Sequence, residues 1–169
     1  MGIIILPVRA INRNMRSKEC DSHGNYRLRR KKRRTARSVL EALPDWFEVP
    51  ESREAFIREC VCQLFYAAFD KSLPVGFIRL NKTGKDTAEL AVLGFLKEYH
   101  RKGIGRELFL KAKEAVVGKG YSFTVKMGAY NDYDMTNRFY LALGFKEFEV
   151  FPLLWDKDNP CQIYVMSLQ

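Results

Sequence analysis

The residues best placed to do chemistry are consecutive: Tyr99-His100-Arg101-Lys102-Gly103-Ile104-Gly105-Arg106. An extended apolar run, residues 88–96, leads into them. A helix leads out, with Ile104, Leu108, Phe109, Ala112, Ala115 and Val116 at helical spacing. A helix N-terminus presents unpaired backbone N–H groups and a partial positive charge. A glycine-bearing loop before it lets those groups approach a phosphate closely. Gly103 and Gly105 supply the positions without side chains, and Arg101, Lys102 and Arg106 add positive charge. The ligand group this predicts is a pyrophosphate. The plainer reading, that these are turn glycines only, stays open on this motif alone.

Two common nucleotide motifs do not fit. Leu108 stands where a dinucleotide G-x-G-x-x-G would place its third glycine, and no Gly-Lys-Ser/Thr closes a P-loop. This argues against a nicotinamide cofactor and against nucleoside triphosphate hydrolysis. No Ser or Cys with a partnering His stands out as a nucleophile. Cys60 and Cys62 are two apart, no C-x-x-C occurs, and His23 and His100 lie far from that pair, so a metal site is not supported. Reduced thiols are the expectation for Cys20, Cys60, Cys62 and Cys161.

Residues 99–108 resemble motif A of the GNAT N-acetyltransferases, whose loop reads Gln/Arg-x-x-Gly-x-Gly/Ala. Asn131, with Thr136-Asn137-Arg138-Phe139-Tyr140-Leu141-Ala142-Leu143-Gly144-Phe145, is similar to the second signature of that superfamily. The two signatures stand in the expected order, and the resemblance covers residues 36–168. One position departs: His100 takes the first place of the loop motif. Arg101 and Lys102 keep the charge, and backbone N–H groups make most contacts in such loops.

The resemblance implies an α/β fold: a mostly antiparallel sheet flanked by helices, with a parallel, splayed pair at its fourth and fifth strands. It implies direct transfer of an acetyl group from acetyl-CoA to a primary amine of a small molecule or protein, with no acyl-enzyme and no metal. His100, Arg101, Lys102, Gly103, Ile104, Gly105 and Arg106 would hold the pyrophosphate. The backbone of Phe95 and Leu96 would pair with the pantetheine arm, and Asn131 would bond the cofactor. Tyr140 would protonate the leaving thiolate; its plainer reading is an aromatic covering the sheet. Glu89, eleven residues before the loop, matches the place of a glutamate base in histone-acetylating relatives; its plainer reading is a solvent-facing strand acid. Glu98, His100 and a water chain are weaker candidates for the base. Trp46, Phe47, Tyr66 and Trp155 could wall an acceptor pocket, although core packing is the commoner use of such residues.

These groups must be positioned by one domain of ordinary composition, 47% hydrophobic and 29% charged over 169 residues. The net charge of +9 is uneven. Residues 1–40 hold twelve Arg or Lys against two acids, whereas the rest holds seventeen basic and eighteen acidic residues. The division expected is a basic segment, 1–34, with a candidate first strand, and an acetyltransferase domain, 35–169. Residues 3–8 read as an edge strand because of Pro7. Residues 27–34 read as a solvated arm. Helices follow near residues 35–43, ended by Pro44, and from an N-cap at Ser52. A three-stranded meander spans residues 63–96. The strands after the last helix are expected at 145–151 and 162–168, around a loop holding Pro152, Trp155 and Pro160.

The arm makes nucleic acid a candidate partner, and the competing function is a nucleic-acid-binding or ribosome-associated module built on residues 27–34. A near-neutral body without an RNP-like motif argues against that module standing alone. No run is long and apolar enough to span a membrane. A transit peptide would fit the basic start, but nothing marks a cleavage site. Cytoplasmic location and a homodimer complete the expectations.

Overall fold

The computed structural model describes residues 3–7, 26–116, 122–128, 134–156 and 158–168. It contains seven strands and four α-helices among these residues. The strands are β1 (Ile3–Pro7), β2 (Leu64–Asp70), β3 (Leu73–Lys82), β4 (Thr87–Phe95), β5 (Ser122–Gly128), β6 (Lys146–Asp156) and β7 (Asn159–Ser167). The helices are α1 (Tyr26–Glu41), α2 (Pro50–Glu59), α3 (Ile104–Glu114) and α4 (Asp134–Ala142). The sheet order is β1-β2-β3-β4-β5-β7-β6. β4 runs parallel to β5, as the strand–helix–strand segment requires, while β1–β2, β2–β3, β5–β7 and β6–β7 are antiparallel. This is the mixed α/β fold expected.

The chain forms two compact units, Met1–Lys82 with Val92–Ala115, and Thr83–Ala91 with Val116–Gln169. In the first, Val39 and Leu40 of α1, Leu43 just beyond it, Ile57 of α2 and Phe65 and Phe77 of the sheet share one core. Six consecutive residues of β3 are buried, Val75 to Leu80, as expected of a strand covered on both faces. In the second unit, Phe123 and Val125 of β5, Tyr140 of α4, Phe145 and Tyr164 of β7 are buried. Gly144, in the left-handed region at φ 95°, closes α4, and the Phe145 N–H returns to the Tyr140 carbonyl at 3.1 Å.

Four expectations need correction. Residues 27–34 are not an arm: they are the first half of α1. Arg and Lys are good helix formers, and Leu28, Lys32, Thr35, Ala36, Val39 and Leu40 fall on one inward face. The inward Lys32 hides the apolar period in the sequence. Its Nζ donates to the Gln63 carbonyl at 2.7 Å and the Val61 carbonyl at 3.4 Å, at the end of the 3₁₀ turn Cys60–Cys62. Ser52 is not the cap of α2. The cap is Val49 without a side-chain bond, and Pro50, already set at helical φ, starts the helix. β6 and β7 run through Pro152 and Pro160, so the loop expected between them shrinks to a turn. Lastly, Cys62 is disulfide-bonded; Cys60 and Cys161 are free and buried. No described helix is long and apolar enough to cross a membrane.

Burial lowers the Lys32 pKa from its ordinary value to about 8. Between that value and the ordinary lysine pKa of about 10.4, the unfolded chain binds more protons than the folded one, so stability rises with pH there. The wild-type melting temperature is therefore expected to gain on that of Lys32→Met as pH rises from about 8 to 10. Thermal melts of the two across that window check it, and parallel curves would contradict it.

Candidate functional site

β4 alternates buried and half-buried residues up to Phe95, where the chain turns. The Leu96 N–H donates to the Val75 carbonyl at 2.9 Å, which holds the corner onto β3. A 3₁₀ turn, Lys97–Tyr99, follows and delivers the chain to the loop. Two side chains pin this turn. The Tyr99 hydroxyl donates to Asp70 Oδ2 at the end of β2, at 2.8 Å. That carboxylate pushes the Tyr99 pKa up. Lys97 pairs with Asp45 and lies 5.1 Å from the Trp46 ring centre.

His100 caps this turn at its C-terminal end. Its Nε2 is 3.1 Å from the Phe95 carbonyl oxygen, which fixes Nε2 as the protonated nitrogen of that bond. Its ring lies 6.2 Å from Trp46. The imidazole thus turns back on the strand end, while the charges at the loop surface come from Arg101, Lys102 and Arg106, all exposed. The Lys102 ammonium is 4.8 Å from the Tyr99 ring centre.

The loop enters α3 through two left-handed residues, Arg101 at φ 59° and Gly103 at φ 79°. Gly103 is the N-cap, and no side chain caps the helix. The Gly103 carbonyl accepts the first helical bond, from Glu107 at 3.1 Å. The N–H groups of Ile104, Gly105 and Arg106 precede that bond, so the helix itself gives them no acceptor. A Cβ built on Gly103 would meet no heavy atom within 4 Å, so the approach to these donors is open. Ile104, Leu108, Phe109 and Ala112 bury the other side of α3 and hold its axis. Donors without helical acceptors, a positive helix end and three exposed cations thus meet at the start of α3.

Gly76 supports the corner from below. A Cβ there would overlap the Phe95 ring and lie 2.9 Å from the Gly94 carbonyl oxygen. Gly76→Ala is expected to cost about 1–3 kcal/mol through overpacking. Urea unfolding measures this, and a loss below about 0.5 kcal/mol would show that the ring moves aside freely.

In the second unit, β4 and β5 pair in parallel at Thr87↔Ser122, Ala88↔Phe123 and Glu89↔Thr124. Glu89 is mostly buried, and its Oε1 is 3.1 Å from Lys126 Nζ of β5. Tyr140 is 5% exposed, with ring centres of Phe139, Phe145 and Tyr164 at 5.5, 5.6 and 5.7 Å. Its hydroxyl has no hydrogen-bond partner among the described residues. Burial pushes its pKa up, with a smaller contribution from Tyr164. The Tyr164 hydroxyl donates to Asn137 Oδ1 at 2.6 Å. Asn131 lies outside the described residues. Phe47 meets Phe56 edge-on at 6.0 Å as core packing, and Tyr66 lies within β2.

Sequence reasoning did not single out Asp70, Asp45 or Lys126. The first two are distant in sequence from the loop they pin. Lys126 was findable only through the register that sets Thr124 beside Glu89.

No curated protein matches the chain in sequence. Solved structures match it in fold. A GNAT-family protein from Desulfovibrio desulfuricans superposes with a TM-score of 0.77 at 15% identity, covering 99% of this chain and 100% of the other. The ribosomal-protein-S18-alanine N-acetyltransferase of Escherichia coli gives 0.70 at 15% identity, over 99% and 95%. An aminoglycoside 6'-N-acetyltransferase complexed with coenzyme A gives 0.65 at 20% identity, over 86% and 93%. The model of the acetyltransferase (GNAT) family matches residues 36–145, which include the whole loop and the helix carrying Tyr140. The chain belongs to the GNAT family of acetyltransferases.

Proposed function

We propose that this protein is an acetyl-CoA-dependent N-acetyltransferase that transfers the acetyl group directly to a primary amine of a small molecule or protein. The observation that carries the reading is the open N-terminus of α3. Left-handed Arg101 and Gly103 leave the Ile104, Gly105 and Arg106 N–H groups without helical acceptors and with clear space before Gly103. A pyrophosphate supplies the acceptors such donors lack. Arg101, Lys102 and Arg106 would add charge, and Asn131 a further bond to the cofactor.

The pantetheine arm is read as pairing with the end of β4 at Phe95 and Leu96, chiefly at Phe95, because the Leu96 N–H already donates to Val75 and its carbonyl accepts from Tyr99. His100 contributes by donating to the Phe95 carbonyl and so holding that strand end, rather than by meeting phosphate with its ring. In the transfer, the amine lone pair attacks the thioester carbonyl carbon and the C–S bond breaks. The departing sulfur takes its proton from the Tyr140 hydroxyl. That hydroxyl has no hydrogen-bond partner among the described residues, and burial of the residue favours its protonated form. The amine proton leaves to solvent or to Glu89. The Glu89 carboxylate already pairs with Lys126, so water relayed by Glu89 is the path proposed.

The anchor has its own test. In calorimetry acetyl-CoA is expected to bind at one site per chain, and a nucleoside diphosphate to compete with it. S-acetylpantetheine, which lacks the pyrophosphate, is expected to bind at least about 100-fold more weakly, roughly 2.7 kcal/mol. Equal affinity for acetyl-CoA and S-acetylpantetheine would remove the anion site from the account.

A further inference from the structure

Helix α1 has two faces of opposite character. Leu28, Lys32, Thr35, Ala36, Val39 and Leu40 face inward. Arg27, Arg30, Lys31, Arg33, Arg34 and Arg37 are exposed, and at 100° per residue they fall within one arc of about 160°. Arg37 is paired with Glu41 and Glu54, at 3.0 and 2.6 Å. Lys31 lies 5.3 Å from the Phe69 ring centre, which does not neutralise it. Arg30, Arg33 and Arg34 have no carboxylate partner among the described residues. Glu41, at the far end, is the one acid in the helix.

This pattern works against the helix that carries it. Cations three and four residues apart repel one another. They also crowd the N-terminal half, where the helix dipole is itself positive. The core contacts of the inner face hold the helix in spite of both terms. The result is a cationic strip in which Arg30, Arg33 and Arg34 have no carboxylate partner among the described residues, and whose repulsion a polyanion would relieve.

We propose that this outer face of α1 binds the phosphate backbone of a double-stranded nucleic acid. Five of the six cations are arginines, whose planar fork matches phosphate oxygens two at a time. From Arg27 to Arg34 the helix rises about 10 Å, and a duplex carries about one charge per 1.7 Å of axis, enough phosphates for every exposed cation. Between Arg27 and Glu41 the sequence has no aromatic residue on which unpaired bases could stack, so the surface suits backbone rather than single strands. A lipid surface fits less well. The apolar side of α1 is spent in the core, and no apolar residue stands on the outer arc to enter an acyl layer. An acidic protein would find no apolar anchor there. The proposal does not depend on the acetyl-transfer reading.

The test uses the full-length chain and fluorescence anisotropy with a labelled RNA duplex and a labelled DNA duplex, from low to physiological salt. Binding of either is expected at low salt, weakening linearly on a log–log plot. Replacing Arg30, Arg33 and Arg34 together by glutamine should weaken binding about tenfold or more and flatten that slope by about 2 to 3. Replacing the same three by lysine should keep the slope. Far-UV circular dichroism and unchanged acetyl-CoA affinity confirm that both variants are folded. Failure of both duplexes to bind at low salt would overturn the proposal, as would an unchanged slope in the glutamine variant. So would displacement of the duplex by phosphatidylserine–phosphatidylcholine vesicles or polyglutamate at equal charge.

Discussion

Gly103→Glu is expected to raise the Kd for acetyl-CoA at least about 100-fold, roughly 2.7 kcal/mol, while the protein stays folded. The two halves of that result have separate causes. Gly103 has φ 79°, a region that costs an L-residue roughly 1–2 kcal/mol. No atom stands within 4 Å of the new Cβ, so nothing clashes. Arg101 already tolerates φ 59° two residues earlier. A carboxylate at the start of α3 also favours the helix dipole by about 0.3–1 kcal/mol, which offsets part of the strain. The melting temperature should therefore move by only a few degrees. Binding should not survive, because the new carboxylate occupies the space and the positive potential that a pyrophosphate would use. Gly103→Ala adds a methyl without charge and should cost only a few-fold. Gly103→Gln should fall between. Calorimetry on the three variants separates charge from volume, and wild-type affinity in Gly103→Glu would place the cofactor elsewhere.

Tyr140→Phe is the second large effect. The kcat should fall by about 100-fold or more, the ordinary contribution of a positioned general acid. The Kd for acetyl-CoA should not change. Stability makes the result diagnostic. A buried hydroxyl that makes hydrogen bonds costs stability when removed, whereas one without a partner costs nothing or less than nothing. The Tyr140 hydroxyl makes no hydrogen bond among the described residues and is not one of their buried unsatisfied atoms, so the phenylalanine variant should melt close to the wild-type temperature. The ring contacts with Phe139, Phe145 and Tyr164 survive the substitution. The raised pKa of Tyr140 adds a sign: the group stays protonated past the ordinary tyrosine value of about 10, so its ionisation should impose no loss of activity below that pH. A variant with normal kcat would reduce Tyr140 to an aromatic packed on the sheet.

The sequence made the α3 approach legible because its signals are local. A strand, two glycines, a cluster of cations and an amphipathic helix follow one another, and the structure has each in place. What the sequence concealed depends on contacts between distant segments. Residues 27–34 read as a solvated arm because charge runs repel. They form a helix because its inner face packs into the core, with Ala36, Val39 and Leu40 buried and Lys32 reaching the Gln63 and Val61 carbonyls some thirty residues away. The side-chain direction of His100 was equally illegible: position in the motif pointed to phosphate, and the ring turned to the Phe95 carbonyl instead. β6 and β7 are longer than the sequence predicts, because prolines read as breakers. Pro152 and Pro160 lie within these strands nonetheless, and β6 is the edge of the sheet, where a missing donor costs little.

The central claim is transfer of an acetyl group from acetyl-CoA to an amine, without an enzyme-bound acyl intermediate. The most direct measurement is an acetylation screen of the wild-type chain against a library of small amines and peptide N-termini, with free thiol and product mass followed together. The account predicts that thiol appears only with an accepting amine, in step with one N-acetyl product per thiol, and that the protein mass never gains an acetyl group on the way. Thiol release with the acetyl group retained on the protein would contradict direct transfer, and a screen in which acetyl-CoA binds but no amine is acetylated would contradict the claim as a whole.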